Sequence, residues 1–336
     1  MAGRLAPDLD DADPGTVFDL ASITKPFTAL ALARLVRDGL IEWTTSIGVL
    51  LRESHGTPIA ETPLEWLASH RSGLDGHRRL YAPLEHGRCV ERSIALRQAC
   101  LSRRQCCGPI ENVGVRGDAD GYPPVYSDLG YMLLGEALAR ASGMALDDLI
   151  VSEVSVPLGL SVRSARQWRC EDASFDDRVA PTEYVSWRGG IVRGAVHDDN
   201  AWAVGKHSTC GHAGLFGTAL DVTKLGIAVL LARGGELSGW LRPEEIAPLV
   251  RTRAGGTLRA GFDGKSEIGS SAGRLCAPET FGHLGFTGTS LWIDPVAEVV
   301  TVLLTNRVYP NRDNARIHEA RPHVHNELFK WGYSAR

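Results

Sequence analysis

Apolar residues recur at helical spacing through the first two thirds of the chain, and the final third turns to strand-like runs. Ser22 to Asp38 reads as an amphipathic helix, with Phe27, Leu30, Ala31, Ala33, Leu35 and Val36 in a broad apolar stripe and Gly39 as its stop. Pro26 falls within the first four helical positions, whose N–H groups have no intrahelical partner, so it does not interrupt the pattern. A second helix is predicted near Pro63–His70, ending in the turn Arg71-Ser72-Gly73. A third runs from about Asp128 to Ser142, with Leu129, Met132, Leu133, Ala137 and Leu138 on one side and Gly143 as its stop. A fourth begins after Thr218, where Thr218 and Asp221 form an acidic variant of the capping box, and continues to Gly234.

Thr289–Ile293 and Glu298–Thr305 are β-rich runs separated by Asp294-Pro295, which reads as a hairpin. Thr16–Leu20 is a candidate short strand, and Asn326–Trp331 a short closing helix. Residues 75–121 are rich in Gly, Arg and Cys, with a helix at Val90–Leu101 inside weak patterning. Helices in the middle and strands at the end indicate an α+β fold whose sheet is completed from sequence-distant pieces.

Composition narrows the function classes. The 336 residues carry 36 Lys+Arg against 40 Asp+Glu, a formal net charge of −4, so no basic excess is available for nucleic-acid phosphates. With 43% hydrophobic residues the chain can offset its conformational entropy. No apolar run approaches the ~18–20 residues of a membrane helix. The first residues contain no apolar signal segment, so the expected compartment is the cytoplasm, or the periplasm or exterior if the true N-terminus lies upstream. The seven cysteines, an odd number, cannot all pair, and Cys106-Cys107 is not a metal-ligand pattern; reduced thiols are expected.

The candidate chemistry starts at Ser22-Ile23-Thr24-Lys25. Residues three apart share a helix face, which makes the Ser22 hydroxyl and the Lys25 ammonium neighbours. A serine at a helix N-terminus also lies beside free backbone N–H groups able to stabilise an oxyanion. Lys25 is then either a base, if desolvation lowers its pKa, or a fixed charge that favours an ionised partner. The tetrad alone is common by chance, and its plain reading is an N-cap serine followed by a surface lysine.

Phe18-Asp19-Leu20-Ala21-Ser22-Ile23-Thr24-Lys25-Pro26-Phe27-Thr28 resembles the active-site segment of class C serine β-lactamases and their relatives, the D-alanyl-D-alanine carboxypeptidases and β-lactamase-fold esterases. Other segments resemble the same family in the same order: Leu67-Ala68-Ser69-His70-Arg71-Ser72-Gly73-Leu74, Tyr126-Ser127-Asp128 in the place of Tyr-x-Asn, Pro157-Leu158-Gly159-Leu160, Gly211-His212-Ala213-Gly214-Leu215-Phe216, and Gly282-His283-Leu284-Gly285-Phe286-Thr287-Gly288-Thr289 as the third signature. The resemblance spans about residues 16 to 310. It implies a β-lactamase/transpeptidase-like fold in one domain over residues 1–336, an antiparallel sheet flanked by helices. A mainly helical region, about 40–210, is inserted between the early helix and the late strands, and the N-terminal strands are shortened. It also implies a serine hydrolase acting through an acyl-enzyme on an ester or amide carbonyl of a small molecule or peptide, with no cofactor and no metal.

By the same resemblance Ser22 is the nucleophile, Tyr126 with Lys25 the proton shuttle, and the backbone N–H groups of Ser22 and Phe286 the oxyanion donors. Lys25 is the positive neighbour that would lower the Tyr126 phenol from its ordinary pKa of ~10. His283 would line the opposite wall with Gly285 and Phe286, a histidine where the family often has a charged lysine. Asp128 stands where the family has an asparagine; its carboxylate only accepts hydrogen bonds, is placed to pair with Lys25, and would repel an anionic substrate. Both departures point toward an esterase, amidase or peptidase with a less acidic substrate. The short segment before Ser22 implies either another element completing the sheet or an open edge beside Glu298–Thr305, and together with Asp128 it motivates the competing reading, a catalytically impaired ligand-binding relative, against which the retention of Ser22, Lys25, Tyr126 and His283 argues. Pocket walls are expected from residues 75–121 and 187–213. His197-Asp198-Asp199 with His207, Cys210 and His212 does not match a common zinc spacing, and local structural roles are expected there. His318, His323 and His325 are expected to be solvated and, with Arg312 and Arg321, to form a basic patch.

Overall fold

The computed structural model describes residues 3–102 and 121–334; the cysteine pair 106–107 lies outside them. The helix Thr24–Arg37 runs through the middle, entered by a 3₁₀ turn at Ala21–Ile23, and Pro26 occupies its third position. It is buried on nearly every side rather than along one stripe. The helix Asp128–Ser142 and the helix Pro243–Val250 both pack against it, and Thr24, Thr28, Ala29 and Leu32, outside the predicted stripe, are buried as well. The loop backbone at Gly261 comes so close that a Cβ there would lie 2.4 Å from Ala29 Cβ.

Asp128–Ser142 keeps the predicted bounds. Ser127 is its N-cap and accepts from Gly130 N at 3.0 Å, and Gly143 closes it in the left-handed conformation. Gly135 on this helix faces Gly211, whose N would stand 2.8 Å from a Cβ at 135, so the segment 211–214 is drawn tightly against the helix. The predicted box before Ala219–Gly234 forms in full, with Asp221 N donating to Thr218 Oγ1 at 3.2 Å and Thr218 N to Asp221 Oδ2 at 3.0 Å. The two shorter helices appear as Leu64–Ala68 and Arg92–Cys100.

The larger sheet has the antiparallel order Asp263–Gly264, Phe281–Leu284, Ser290–Asp294, Val299–Leu303. The predicted hairpin is present with Ser290 opposite Leu303 and Asp294 opposite Val299, its turn closed by Asp294 Oδ1 accepting from Val296 N and Ala297 N. Ala219–Gly234 covers the sheet, and Gly226 admits Val300, whose Cγ1 would lie 2.5 Å from a Cβ there. Phe18–Asp19 is a strand, yet it pairs with Leu215–Gly217 in a separate three-stranded sheet with Arg163–Ser164. Val299–Leu303 is therefore the last strand of the larger sheet among the described residues. None of their helices is long and apolar enough to cross a membrane.

The C-terminus corrects the sequence reading. The closing helix is Ile317–Ser334 rather than a short piece at Asn326–Trp331, and it carries Pro322 within it. Its buried face is Ile317, Arg321, His325 and Phe329, at helical spacing but half polar, so hydropathy does not register it. His325 is not solvated: it is fully buried between two strands, its Nε2 2.8 Å from Ser290 Oγ and its Nδ1 2.8 Å from Thr301 Oγ1. Burial and the Arg321 charge push it down to about 3, which leaves the ring neutral. Arg321 is buried as well, so the expected surface basic patch does not form.

Candidate active site

Ser22 sits inside the 3₁₀ turn, directly after Ala21, whose φ of 49° lies in the left-handed region and is strained for a residue with a Cβ. Asp19 holds this turn, its Oδ1 accepting from Ala21 N at 2.8 Å and its Oδ2 from His197 N at 2.6 Å. Burial raises the Asp19 pKa in spite of those two amides.

Lys25 is not a surface lysine. It is fully buried, with Nζ 2.9 Å from Ser22 Oγ, 2.7 Å from Asp128 Oδ1 and 3.4 Å from the His212 carbonyl oxygen. The one-turn spacing brings Ser22 to it, while Asp128 arrives from the first position of a distant helix. Burial works against the ammonium, but Asp128 and Tyr126 outweigh it, and the Lys25 pKa ends above its ordinary value.

Tyr126 lies with its ring 4.6 Å from Lys25 Nζ, and Lys25 and Ser22 both act on its phenol. The expected lowering of this phenol does not occur. Burial raises it, Lys25 lowers it, Asp128 raises it again, and the balance is above the ordinary value. The ring is flanked by His70, with centroids 4.6 Å apart, and His283, at 5.9 Å. His70 Nδ1 accepts from Ser127 N at 2.9 Å, which fixes the backbone next to Tyr126. Burial and then the Lys25 charge drive both imidazoles down, His70 well below its ordinary value and His283 to about 3, so both are neutral.

His283 Nδ1 donates to Leu284 O at 2.8 Å. The ring is buried behind Tyr126 and does not border the cavity, so the structure does not bring it to the wall that the resemblance implied. Gly285 and Phe286, which follow it, do reach that wall. The cavity is about 530 Å³, with Ser22, Tyr126 and Asp128 on one side and Gly285 and Phe286 on another. Gly285 has no room for a side chain, since a Cβ would fall 1.9 Å from Thr289 Oγ1. Phe286 is half-exposed, its ring 4.4 Å from the Arg307 guanidinium and 5.7 Å from His197.

Further walls come from the two regions expected, through Tyr81 and through His197–Asp199. A third, from Arg307 to Arg321, was not foreseen as cavity lining; the arginine spacing there signalled only a basic surface. His197 and His212 are held by carboxylates, His197 Nε2 2.9 Å from Glu183 Oε2 and His212 Nε2 2.9 Å from Asp198 Oδ1, whereas His207 Nδ1 faces Arg169 Nη1 at 3.3 Å. Asp198 also caps the helix Asp199–Gly205 by accepting from Ala201 N at 2.7 Å.

Residues 8–325 match the family model described as Beta-lactamase. A "Putative D-alanyl-D-alanine carboxypeptidase" of Salmonella agona (strain SL483) is 25% identical over 326 residues, 91% of this chain and 73% of that protein. An N-acetylmuramyl-L-alanine amidase of Bacillus subtilis (strain 168) is 27% identical over 312 residues, 87% of this chain and 68% of that protein. Among solved structures, EstCE1, described as a hydrolase with promiscuous acyltransferase activity, aligns with a TM-score of 0.67 at 19% identity, covering 95% of this chain and 88% of that one.

Proposed function

The chain belongs to the Beta-lactamase family, and from that premise we propose that it is a serine hydrolase cleaving an ester or amide through a covalent acyl-enzyme. The observation that carries this reading is the position of Lys25 Nζ, 2.9 Å from Ser22 Oγ and anchored by Asp128, behind a wall formed by Ser22 and Asp128 of a cavity large enough for a small substrate. Ser22 Oγ attacks the carbonyl carbon while its proton passes to the Tyr126/Lys25 pair. The tetrahedral oxyanion is met by the N–H groups of Ser22 and Phe286. Collapse breaks the bond to the alcohol or amine, which leaves with the proton, and water then cleaves the acyl-enzyme by the reverse relay. Asp128, paired with Lys25 on the cavity wall, favours uncharged esters and amides over anionic β-lactams at that end of the site. The carboxypeptidase, amidase and esterase-type relatives are consistent with any of these carbonyl substrates.

The competing reading, a ligand-binding relative with impaired catalysis, draws on one feature: the Asp128 carboxylate, 2.7 Å from Lys25 Nζ, favours the protonated form of both candidate bases. Fluorophosphonate labelling of wild type and Ser22→Ala, with a panel of p-nitrophenyl esters, nitrocefin and D-Ala-D-Ala peptides, separates the two. Labelling and turnover that vanish in Ser22→Ala support the hydrolase; equal labelling of both proteins removes it.

A further inference from the structure

The turn Gly285–Gly288 presents the Phe286 N–H on which the oxyanion reading depends, and it is gripped mainly through its carbonyls. Arg321 Nη2 donates to Gly285 O at 2.6 Å and to Thr289 O at 2.9 Å. Gly288 N also donates to Gly285 O, at 3.1 Å, which occupies the second acceptor position of that oxygen. Arg307 Nε donates to Phe286 O at 2.9 Å. From the other side, the Thr287 and Thr289 hydroxyls donate to Asp19 O and Leu20 O at 2.8 and 3.0 Å, which ties the turn to the segment entering Ser22.

Arg321 is an unusual residue for this place. It is only 6% exposed, on the buried face of the closing helix, and its Nε has no partner. The influences on its charge are burial and repulsion from Arg307, with no carboxylate to offset them, and they push it down to about 10. A guanidinium desolvated without a counter-ion is costly, and packing alone would be served by an apolar side chain. What the cation does gain is two carbonyls, one belonging to the Gly285–Phe286 peptide.

That peptide unit is planar and trans, so its C=O and N–H point in opposite directions. Fixing the carbonyl toward Arg321 fixes the N–H away from it. Drawing electron density from the carbonyl also makes the N–H a stronger donor. We propose that Arg321 is a positioning residue for the oxyanion site, setting the Gly285–Phe286 peptide plane so that the Phe286 N–H faces an acyl group on Ser22. This inference rests on the hydrolase reading. Arg321 touches no reacting atom in it.

The test compares wild type, Arg321→Met and Arg321→Lys in the full chain. The measurements are the rate of fluorophosphonate labelling at Ser22, kcat and KM for a p-nitrophenyl ester, and the thermal midpoint. A phosphonylating probe passes through a charged trigonal-bipyramidal state that needs the same donors. Arg321→Met should lose about 10- to 100-fold in labelling rate and kcat, short of the ~100- to 1,000-fold typical of deleting an oxyanion donor outright, with KM within about twofold. Arg321→Lys keeps a charge that reaches one carbonyl and should recover part of the loss. If Arg321→Met does not fold, Arg321→Lys carries the test, since the shorter lysine does not set its nitrogen where Arg321 Nη2 meets both carbonyls. Labelling of folded variants at the wild-type rate overturns this inference alone, as does a loss that appears only in KM. Absence of labelling in wild type overturns the hydrolase reading and this inference with it.

Discussion

The ammonium of Lys25 and the carboxylate of Asp128 stand 2.7 Å apart, with the lysine fully buried and the aspartate about one-fifth exposed. The residue that departs from the family's Tyr-x-Asn pattern is thus the one that holds the charge beside Ser22. An asparagine there would hydrogen-bond the lysine but add no charge. The aspartate stabilises the ammonium and opposes a phenolate on Tyr126, which raises the pKa of both candidate bases.

Asp128→Asn should therefore move the pH–rate profile toward acid. In wild type the deprotonated relay is scarce at neutral pH, so the rate is expected to climb on the alkaline side. Removing the carboxylate lowers the Lys25 and Tyr126 pKa values together, and the rising limb shifts to lower pH. A profile of kcat/KM against pH for an uncharged ester reads this directly; a limb that stays in place or moves toward alkali contradicts it.

Lys25→Ala should lose ~100-fold or more in turnover, the scale of a general acid–base contribution, while the fold is retained. Asp128 is part-exposed and has the His77 ring 4.0 Å away, so it does not become a buried orphan when the lysine goes. Labelling kinetics and circular dichroism on the same sample check both halves. An unchanged rate takes Lys25 out of the proton path.

Gly285→Ala should damage the site and the fold together. Its Cβ would fall 1.9 Å from Thr289 Oγ1 and 2.7 Å from Leu20 O, and the latter is backbone that cannot swing away. Overpacking of this kind costs about 1–3 kcal/mol. A thermal midpoint lowered by several degrees, with slower Ser22 labelling, is the expected result, and a neutral substitution would show that the turn relaxes freely.

Acid should destabilise the protein before its carboxylates titrate fully. His283 and His325 are both held near 3 in the folded state, by burial first and by Lys25 and Arg321 respectively, against ~6.5 when unfolded. Their neutral forms are favoured by folding, so this contribution is whole above about pH 6.5 and falls as the pH drops toward 3. Each histidine adds a slope of up to ~1.4 kcal/mol per pH unit in that window. The thermal midpoint of His325→Gln should decline less steeply than wild type between pH 6 and 4. Parallel curves would mean that His325 protonates without cost.

Local signals were enough to locate much of this protein. The bounds of Asp128–Ser142, the capping box at Thr218 and the hairpin around Asp294-Pro295 depend on residues a few positions apart, so they can be read directly from the chain. The Ser22–Lys25 spacing belongs to the same class, because one helical turn dictates that the two side chains meet. What surrounds that pair was settled only by packing. The burial of Lys25, its capture by a residue 103 positions away, the withdrawal of His283 behind Tyr126, and the turning inward of Arg321 and His325 all depend on which faces are covered. Sequence assigns a polar residue to water by default. Only the tertiary structure shows where a desolvated charge has found a carboxylate or a pair of carbonyls, and those contacts set the protonation states on which the chemistry at Ser22 depends.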